Sequence, residues 1–510
     1  MNRRETCCSI VLLLLGIVVL VIGIVIIALM PTLTKTLVDK QVPLAENSFV
    51  QRTWQDPPFA ISMQFWIFNV TNPLEIIHSR AKPALIQKGP YGYRETQLKK
   101  QVVYLPNNTI QYVNQKIYKF DPSLSCPTCR EDDFFTIPNV PYLAALPVIN
   151  QLAGSIKGLG PLLKIGGKAA LLGMGEQLFV NKITARQFLF DGYDDKIFKL
   201  LDKVQPGRAP KKMGLFYGKN NTDDGIYVID SGTGSVSNMG KIVSWNGHSD
   251  LGFKGWWNSS QADAINGSDG TIYPPFVKRS DTLYAFISDI CRSIYLKYYA
   301  DIEFQGIKGY RFRLAKDSFD AYLPENDGFC WPMKDPIYSK DIQRKKNDGW
   351  CLPSGMNDIS KCQYDSPIVA SMPQFTNSPE EVQKSVSGLL PESDDYLPYV
   401  DVEPTTGVLL SGARIIQLNV VMQPDPSDML TKNMKSVIVP LAWVNETVVI
   451  DKGTRDYLYQ NAVVVRETAY VVAYTAIGVG TLWIVCVAIA LAVSKYNSQR
   501  QRQQFLRLNQ

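Results

Sequence analysis

Two long runs without a charge govern what this chain can fold into. Residues Ser9 to Met30 read SIVLLLLGIVVLVIGIVIIALM, 22 positions with no ionisable group but much Leu, Ile and Val. Residues Ala469 to Val493 read AYVVAYTAIGVGTLWIVCVAIALAV, 25 positions of the same character. About 20 apolar residues cross the hydrocarbon core as a helix, so both runs predict membrane spans. The first is longer than the apolar core of a signal peptide, and Met30-Pro31-Thr32-Leu33 offers no small-residue cleavage site. An uncleaved anchor is the expectation.

Charge predicts orientation. Arg3 and Arg4 precede the first run, and Lys495, Arg500, Arg502 and Arg507 follow the second. Lys and Arg near span ends stay cytoplasmic, which places both tails inside. The expected organisation is a cytoplasmic tail over residues 1–8, a span over 9–30, an extracellular or lumenal domain over 31–468, a span over 469–493 and a cytoplasmic tail over 494–510. The formal net charge of the chain is +6, and nearly all of it resides in the tails. The intervening domain is close to neutral, which argues against a nucleic-acid partner. No low-complexity tract or repeat divides the domain.

The nine cysteines divide by compartment. Cys7 and Cys8 lie at the cytoplasmic edge of the first span, where adjacent thiols are candidates for reversible acylation, as with palmitate. Cys486 lies within the second span. Six remain in the domain between, and six thiols in an oxidising compartment allow 15 pairings. Six N-x-S/T acceptors, at Asn69, Asn107, Asn220, Asn258, Asn266 and Asn445, fall in the same domain and are candidate glycosylation sites.

Within the domain, Ile61–Phe68, Ile110–Phe120, Ile415–Met422 and Ser436–Trp443 are rich in β-branched and aromatic residues and read as strands. Pro141 to Phe190 is different. It is rich in Leu, Ala, Gly and Ile and reads as short helices joined at Gly154, Gly158 and Gly160. It carries Lys157, Lys164, Lys168, Lys182 and Arg186 against one acid, Glu176. These five cations are the candidate ligand-binding patch, weighed against a merely solvated helical surface.

Catalytic signatures are missing. There are two histidines, His78 and His248, and no H-E-x-x-H, G-x-S-x-G, P-loop or G-x-G-x-x-G sequence. Asn220 to Ser231 has the look of a calcium loop, but Ser231 stands where the closing Glu is needed. No enzyme, metal or cofactor is expected.

An ordered set of motifs carries a family resemblance. Phe68-Asn69-Val70-Thr71-Asn72-Pro73 is followed by Lys88-Gly89-Pro90-Tyr91-Gly92-Tyr93-Arg94-Glu95. Asn266-Gly267-Ser268-Asp269-Gly270 leads to Pro274-Pro275-Phe276, and then Asp289-Ile290-Cys291-Arg292-Ser293. Ile359-Ser360-Lys361-Cys362, Asp401 to Gly407 (DVEPTTG) and Val439 to Glu446 (VPLAWVNE) complete the series. In order and spacing, between two end spans, the chain resembles the class B scavenger receptors. The resemblance implies an α+β membrane protein: an irregular antiparallel β-barrel ectodomain with a lipid-conducting tunnel and a helical apex at about residues 141–193. It implies disulfides Cys291–Cys362 and Cys330–Cys351, in a layout similar to the lysosomal member's. Cys126-Pro127-Thr128-Cys129 lies outside the family pattern and reads as a small structural disulfide, Cys126–Cys129, rather than a redox site. Leu283, Phe286, Ile287, Ile290 and Ile294 have helical spacing, whereas the resemblance implies strand there. Gln374 stands in place of the histidine of the family's PHF element, so no role of that histidine carries over.

The leading functional reading is a cell-surface receptor. It would bind lipids (fatty acids, phospholipids, sterols) or lipoprotein particles and pass lipid through the tunnel to the membrane. A sorting receptor for a lumenal protein, or a lipid exporter, in lysosomal or endosomal membranes is the alternative, with a protein ligand at the apex. The tail Ser494–Gln510 carries no acidic dileucine signal, which favours the plasma membrane. A purely adhesive receptor is the third reading.

Overall fold

The computed structural model describes residues 3–57, 59–155, 160–175, 177–199, 210–391 and 396–508. Lys157 and Glu176 fall outside these residues, as do the side chains of Cys7 and Cys8. The chain forms two compact units. One holds the terminal helices with the turn 305–307; the other runs from Val42 to Asp451 apart from that turn.

In the first unit, Arg3–Gln41 is one helix. Lys452–Leu458 and Val465–Leu508 are helices joined by a π-helical turn at Tyr459–Val464. The stretches Ser9–Gln41 and Lys452–Arg507 are each long and apolar enough to cross a membrane. The first helix outruns the uncharged run. It continues past Pro31, where Lys35 and Asp39 pair at 3.3 Å one turn apart. The two long helices pack through small residues. A Cβ on Gly480 would lie 2.6 Å from the Leu20 nitrogen and 2.9 Å from the Gly16 oxygen. Trp483 Nε1 donates to the Leu12 carbonyl at 2.9 Å. Close backbone approach at glycine is how helices gain van der Waals contact in lipid, where the hydrophobic effect gives no drive.

The second unit is built on strands β1 (Ala60–Val70), β2 (Leu85–Leu105), β3 (Thr109–Phe120), β4 (Phe134–Pro138), β5 (Phe179–Thr184), β6 (Ile226–Asp230), β7 (Ile242–Trp245), β8 (Thr282–Ile287), β9 (Arg292–Phe304), β10 (Ile307–Leu314), β11 (Lys345–Lys346), β12 (Gly349–Trp350), β13 (Met356–Asp358), β14 (Ile368–Ser371), β15 (Tyr399–Val402), β16 (Leu409–Met422) and β17 (Val437–Val449). Among the described residues thirteen of them make one sheet. Its order is β7-β6-β3-β2-β1-β17-β16-β15-β10-β9-β8, and β14 pairs β16 and β13 at its side. Along β1, Ile61, Met63, Phe65 and Ile67 are buried and alternate with half-buried Ser62, Gln64 and Trp66, the period of a strand with one face in a core. Trp66 and Trp443, opposite each other on β1 and β17, stack with ring centres 3.7 Å apart.

The sheet curls until its edges meet. Asn266–Gly270 lies between edge strands β7 and β8: Ile242 N donates to the Gly267 carbonyl, Ser268 N donates to that of Tyr284, and Phe286 N donates to that of Ser268. This closure requires glycine. Gly267 has φ +80°, and a Cβ there would lie 2.0 Å from the Tyr284 oxygen. The residues with helical spacing, Leu283 to Ile294, are strand β8, a short 3₁₀ turn at Ser288–Ile290 and the start of β9. Pairing with β9 overrides the local pattern there.

The segment expected to be all helical is helical only in part. Val140–Ser155 and Gly160–Gly173 are helices, but Phe179–Thr184 is β5, paired with β4, and Gln187–Asp191 is a π-helical turn. The helix pair is held down by the segment after β16. Tyr142 OH donates to Asp428 at 2.6 Å, and Asn150 Nδ2 donates to Asp425 at 2.7 Å. All six cysteines of this second unit are paired, as Cys126–Cys129, Cys291–Cys362 and Cys330–Cys351.

Candidate functional site

Of the five candidate cations, the four among the described residues, Lys164, Lys168, Lys182 and Arg186, lie on more than one element and in different environments. Lys168 is 2% exposed, and its ammonium pairs with Asp425 and donates to Ser427 Oγ at 2.6 Å. The expectation that it offers charge to a ligand is corrected. A buried ammonium needs a counter-charge within the protein, and once so paired it is withdrawn from the surface. Lys164 is half-buried on the same helix. Lys182 and Arg186 are exposed but belong to β5 and to the turn after it, and Arg186 pairs with Asp191 at 2.8 Å. The exposed side of the helix pair is instead apolar: Leu152 is 62% exposed, Leu162 68% and Ile165 60%. Contiguous exposed apolar side chains mark interaction surfaces.

Inside the curled sheet lie two adjoining cavities. The larger, about 220 Å³, is walled by Met63 of β1, Phe216, Ile294, Ile368, Ile415 and Val444 among others. The smaller, about 140 Å³, is walled by Phe59, Ile61, Tyr273, Leu296, Leu409 and Val448 among others. Both walls are mainly aliphatic and aromatic, as in sites that take apolar ligands. Five residues line both: Ile287, Ile294, Pro398, Arg414 and Glu446.

Arg414 and Glu446 make that junction charged. They face each other on β16 and β17 and form an ion pair. Arg414 is also 3.8 Å from Asp289, which pairs with Lys219; both of the latter line the larger cavity. On the other side Lys116 of β3, with Gln97 and Asn114, lines the smaller cavity. Glu95 is buried nearby on the inward row Glu95, Gln97, Lys99 of β2. Gln97 Nε2 donates to Glu95 at 2.8 Å and Asn114 Nδ2 donates to Gln97 at 3.2 Å. Among the described residues Glu95 Oε2 and Asn114 Oδ1 have no partner.

These surroundings retune the acids. Burial, then the neighbouring Glu446 charge, pushes the Glu95 carboxyl up to about 7. Burial also acts upward on Asp289, but Lys219, Lys116 and Arg414 outweigh it and hold that carboxyl far below its usual range. Burial and Arg414 push the Lys116 ammonium down; Asp289, Glu95 and Glu446 outweigh them and hold it raised. Asp289 is therefore firmly ionised, and Glu95 titrates near neutrality.

Sequence reading missed this junction, although a signal was present. Arg414 and Glu446 are lone charges inside the apolar strand runs LLSGARIIQLNVV and PLAWVNETVVI, where an interior charge without function is costly. Of the sequon asparagines, Asn107, Asn220, Asn258 and Asn266 are exposed, while Asn69 and Asn445 are half-buried on β1 and β17. Among the described residues no cluster of His, Cys, Asp and Glu could hold a metal ion.

Comparison with known proteins follows the architecture. Residues 14–491 match the model of the CD36 family. Lysosome membrane protein 2 of Rattus norvegicus is 31% identical over 455 residues, 88% of each chain, and that of Homo sapiens is 30% identical over the same span. Scavenger receptor class B member 1 of Rattus norvegicus is 27% identical over 472 residues, 92% of this chain and 86% of that one. With two terminal helices able to span a membrane around a large antiparallel sheet, the chain belongs to the CD36 family, the class B scavenger receptors.

Proposed function

We propose that this chain is a receptor that captures lipid from particles or membranes and conducts it through the ectodomain to the bilayer. The observation that carries this reading is the pair of adjoining apolar cavities inside the sheet. Burial of an acyl chain there contributes about 0.8 kcal/mol per CH₂. Docking begins at the helix pair, where Leu152, Leu162 and Ile165 meet the acyl surface of a particle and Lys164 offers a counter-charge to its head groups. The contribution of an exposed cation of this kind is about 0–1 kcal/mol. The apolar ridge therefore takes over the role that the sequence assigned to five cations. Both tails are cytoplasmic, Cys7 and Cys8 carry acyl groups, and the exposed sequons carry glycans in this reading.

The test is to measure particle binding and lipid delivery separately in cells expressing the chain. Changing Leu152, Leu162 and Ile165 together to Ser should lower binding of lipoprotein particles at least about tenfold, the loss of roughly half the burial of three aliphatic side chains. Unchanged binding would reject the ridge. Binding without any lipid delivery would favour an adhesive receptor. The relatives named lysosome membrane protein 2 favour a second reading, residence in lysosomal or endosomal membranes. Imaging a tagged chain in its own cells decides between the two compartments.

A further inference from the structure

The junction between the cavities contains three cations in sequence. Lys219 faces the larger cavity, Arg414 lines both, and Lys116 faces the smaller. Three acids answer them: Asp289, Glu446 and Glu95. The titratable groups come from several elements: β2 gives Glu95, β3 gives Lys116 and the Tyr118 hydroxyl, and β16 gives Arg414, while β8, β9 and Pro398 contribute only apolar walls. Glu446 comes from β17, Asp289 from the turn after β8, and Lys219 from the loop before β6. Farther along the smaller cavity Lys99 and Asp269 form a separate pair at 3.7 Å and balance each other.

We infer that Arg414, flanked by Lys219 and Lys116, is an anion-binding station between the two cavities, where the carboxylate head group of a single-chain lipid is held as the lipid crosses. The inference rests on the lipid-conducting reading above and adds the head group that the passage selects. An acyl chain finds aliphatic walls on both sides of the junction. A head group crossing from one cavity to the other meets this charged ring, so the ring selects among lipids. An uncharged lipid must separate Arg414 from Glu446 and offers nothing in return. A carboxylate offers the guanidinium a second charge-assisted partner. The cluster has room for that charge. While Glu95 holds its proton, three cations face two carboxylates, and an entering anion restores neutrality in a poorly solvated site. As pH rises through about 7, Glu95 ionises, the surplus vanishes and the carboxylate loses its advantage.

The experiment uses the full chain in proteoliposomes and two probes, a pyrene-labelled C16 carboxylate and the C16 alcohol with the same label. Transfer from donor vesicles is followed for each. Wild type should transfer the carboxylate about tenfold faster than the alcohol at pH 6.5, the worth of one charge-assisted hydrogen bond, and the advantage should shrink towards pH 8. Arg414→Leu with Glu446→Leu removes both members of the pair, so that neither stays behind as the unpaired half of it. It should bring the two rates to within about twofold of each other. Glu95→Gln provides a second reading in a chain with all three cations in place: carboxylate transfer should no longer fall between pH 6.5 and 8. Equal selectivity in wild type and the double variant, or the same pH profile in wild type and Glu95→Gln, would overturn the station. Transfer of neither probe by wild type would overturn the lipid-conducting reading and the station with it.

Discussion

Lys168 on the second helix of the pair donates its ammonium to Asp425, 257 residues along the chain, with Ser427 Oγ as a further acceptor. The bond ties the helix to the segment after β16, and neither partner is freely exposed. Lys168→Ala leaves a half-buried carboxylate without its cation and should destabilise the sheet unit by about 3 kcal/mol. Lys164→Ala, a few residues away, should stay within about 0.5 kcal/mol. Thermal unfolding of the two variants side by side checks the contrast; equal effects would contradict the burial difference.

Glu95 sets a pH dependence opposite in sign to that of most carboxylates. Its folded pKa is raised to about 7 from 4.5. The folded chain therefore binds more protons than the unfolded chain between those values, and stability falls as pH rises through that window. Acidification from pH 7.5 to 5 should raise the melting temperature, and Glu95→Gln should flatten that rise and add on the order of 1 kcal/mol at pH 7.5. Asp289 and Asp425 are held low by their cations. Their contribution is present above the ordinary carboxylate range and is lost as pH falls below about 4.

The three disulfides close loops of very different length. Cys291 and Cys362 are 71 residues apart, Cys330 and Cys351 are 21 apart, and Cys126 and Cys129 are 3 apart. Loop-closure entropy predicts losses of about 4 kcal/mol for Cys291→Ser with Cys362→Ser and about 3 kcal/mol for Cys330→Ser with Cys351→Ser. The loss for Cys126→Ser with Cys129→Ser should be smaller still. Denaturant unfolding of the three double variants should show that order.

Gly480 lets the long helices approach backbone to backbone. Gly480→Leu would place its side chain against the Leu20 nitrogen and push the helices apart. In a background with Cys7, Cys8 and Cys486 changed to Ser, cysteines at Leu12 and Trp483 should crosslink readily. Adding Gly480→Leu should cut that yield about fivefold, because the close backbone approach is lost. An unchanged yield would rule out the glycine contact.

The spans were legible because a run without charges has few other solutions. Strands β1, β3, β16 and β17 were legible because their apolar residues alternate or cluster. β2 was not, since its inward row is Glu95, Gln97 and Lys99 while its outward row includes Arg94 and Lys100, so polarity carries no period. The helical spacing from Leu283 to Ile294 was misleading, because the hydrogen bonds that decide there come from a neighbouring strand. The fate of Lys168 was hidden for a related reason. Its partner Asp425 is remote in sequence, and composition counts a paired cation and a free one alike.

The pairing of β1 with β17 has a mechanical side. Ala60, which opens the sheet soon after the first long helix, is opposite Val449, which closes it just before the second. The first and last residues of this ladder thus sit on one rung, so a force that draws them apart loads the rungs one at a time from that end. Unzipping needs far less force than shearing the same ladder, where all rungs resist together. Tension between the anchors would therefore first open the seam at Ala60 and Val449, beside Ile61 and Val448 of the smaller cavity. Separation of Ala60 from Val449 thus comes before rupture of the rest of the β1–β17 ladder.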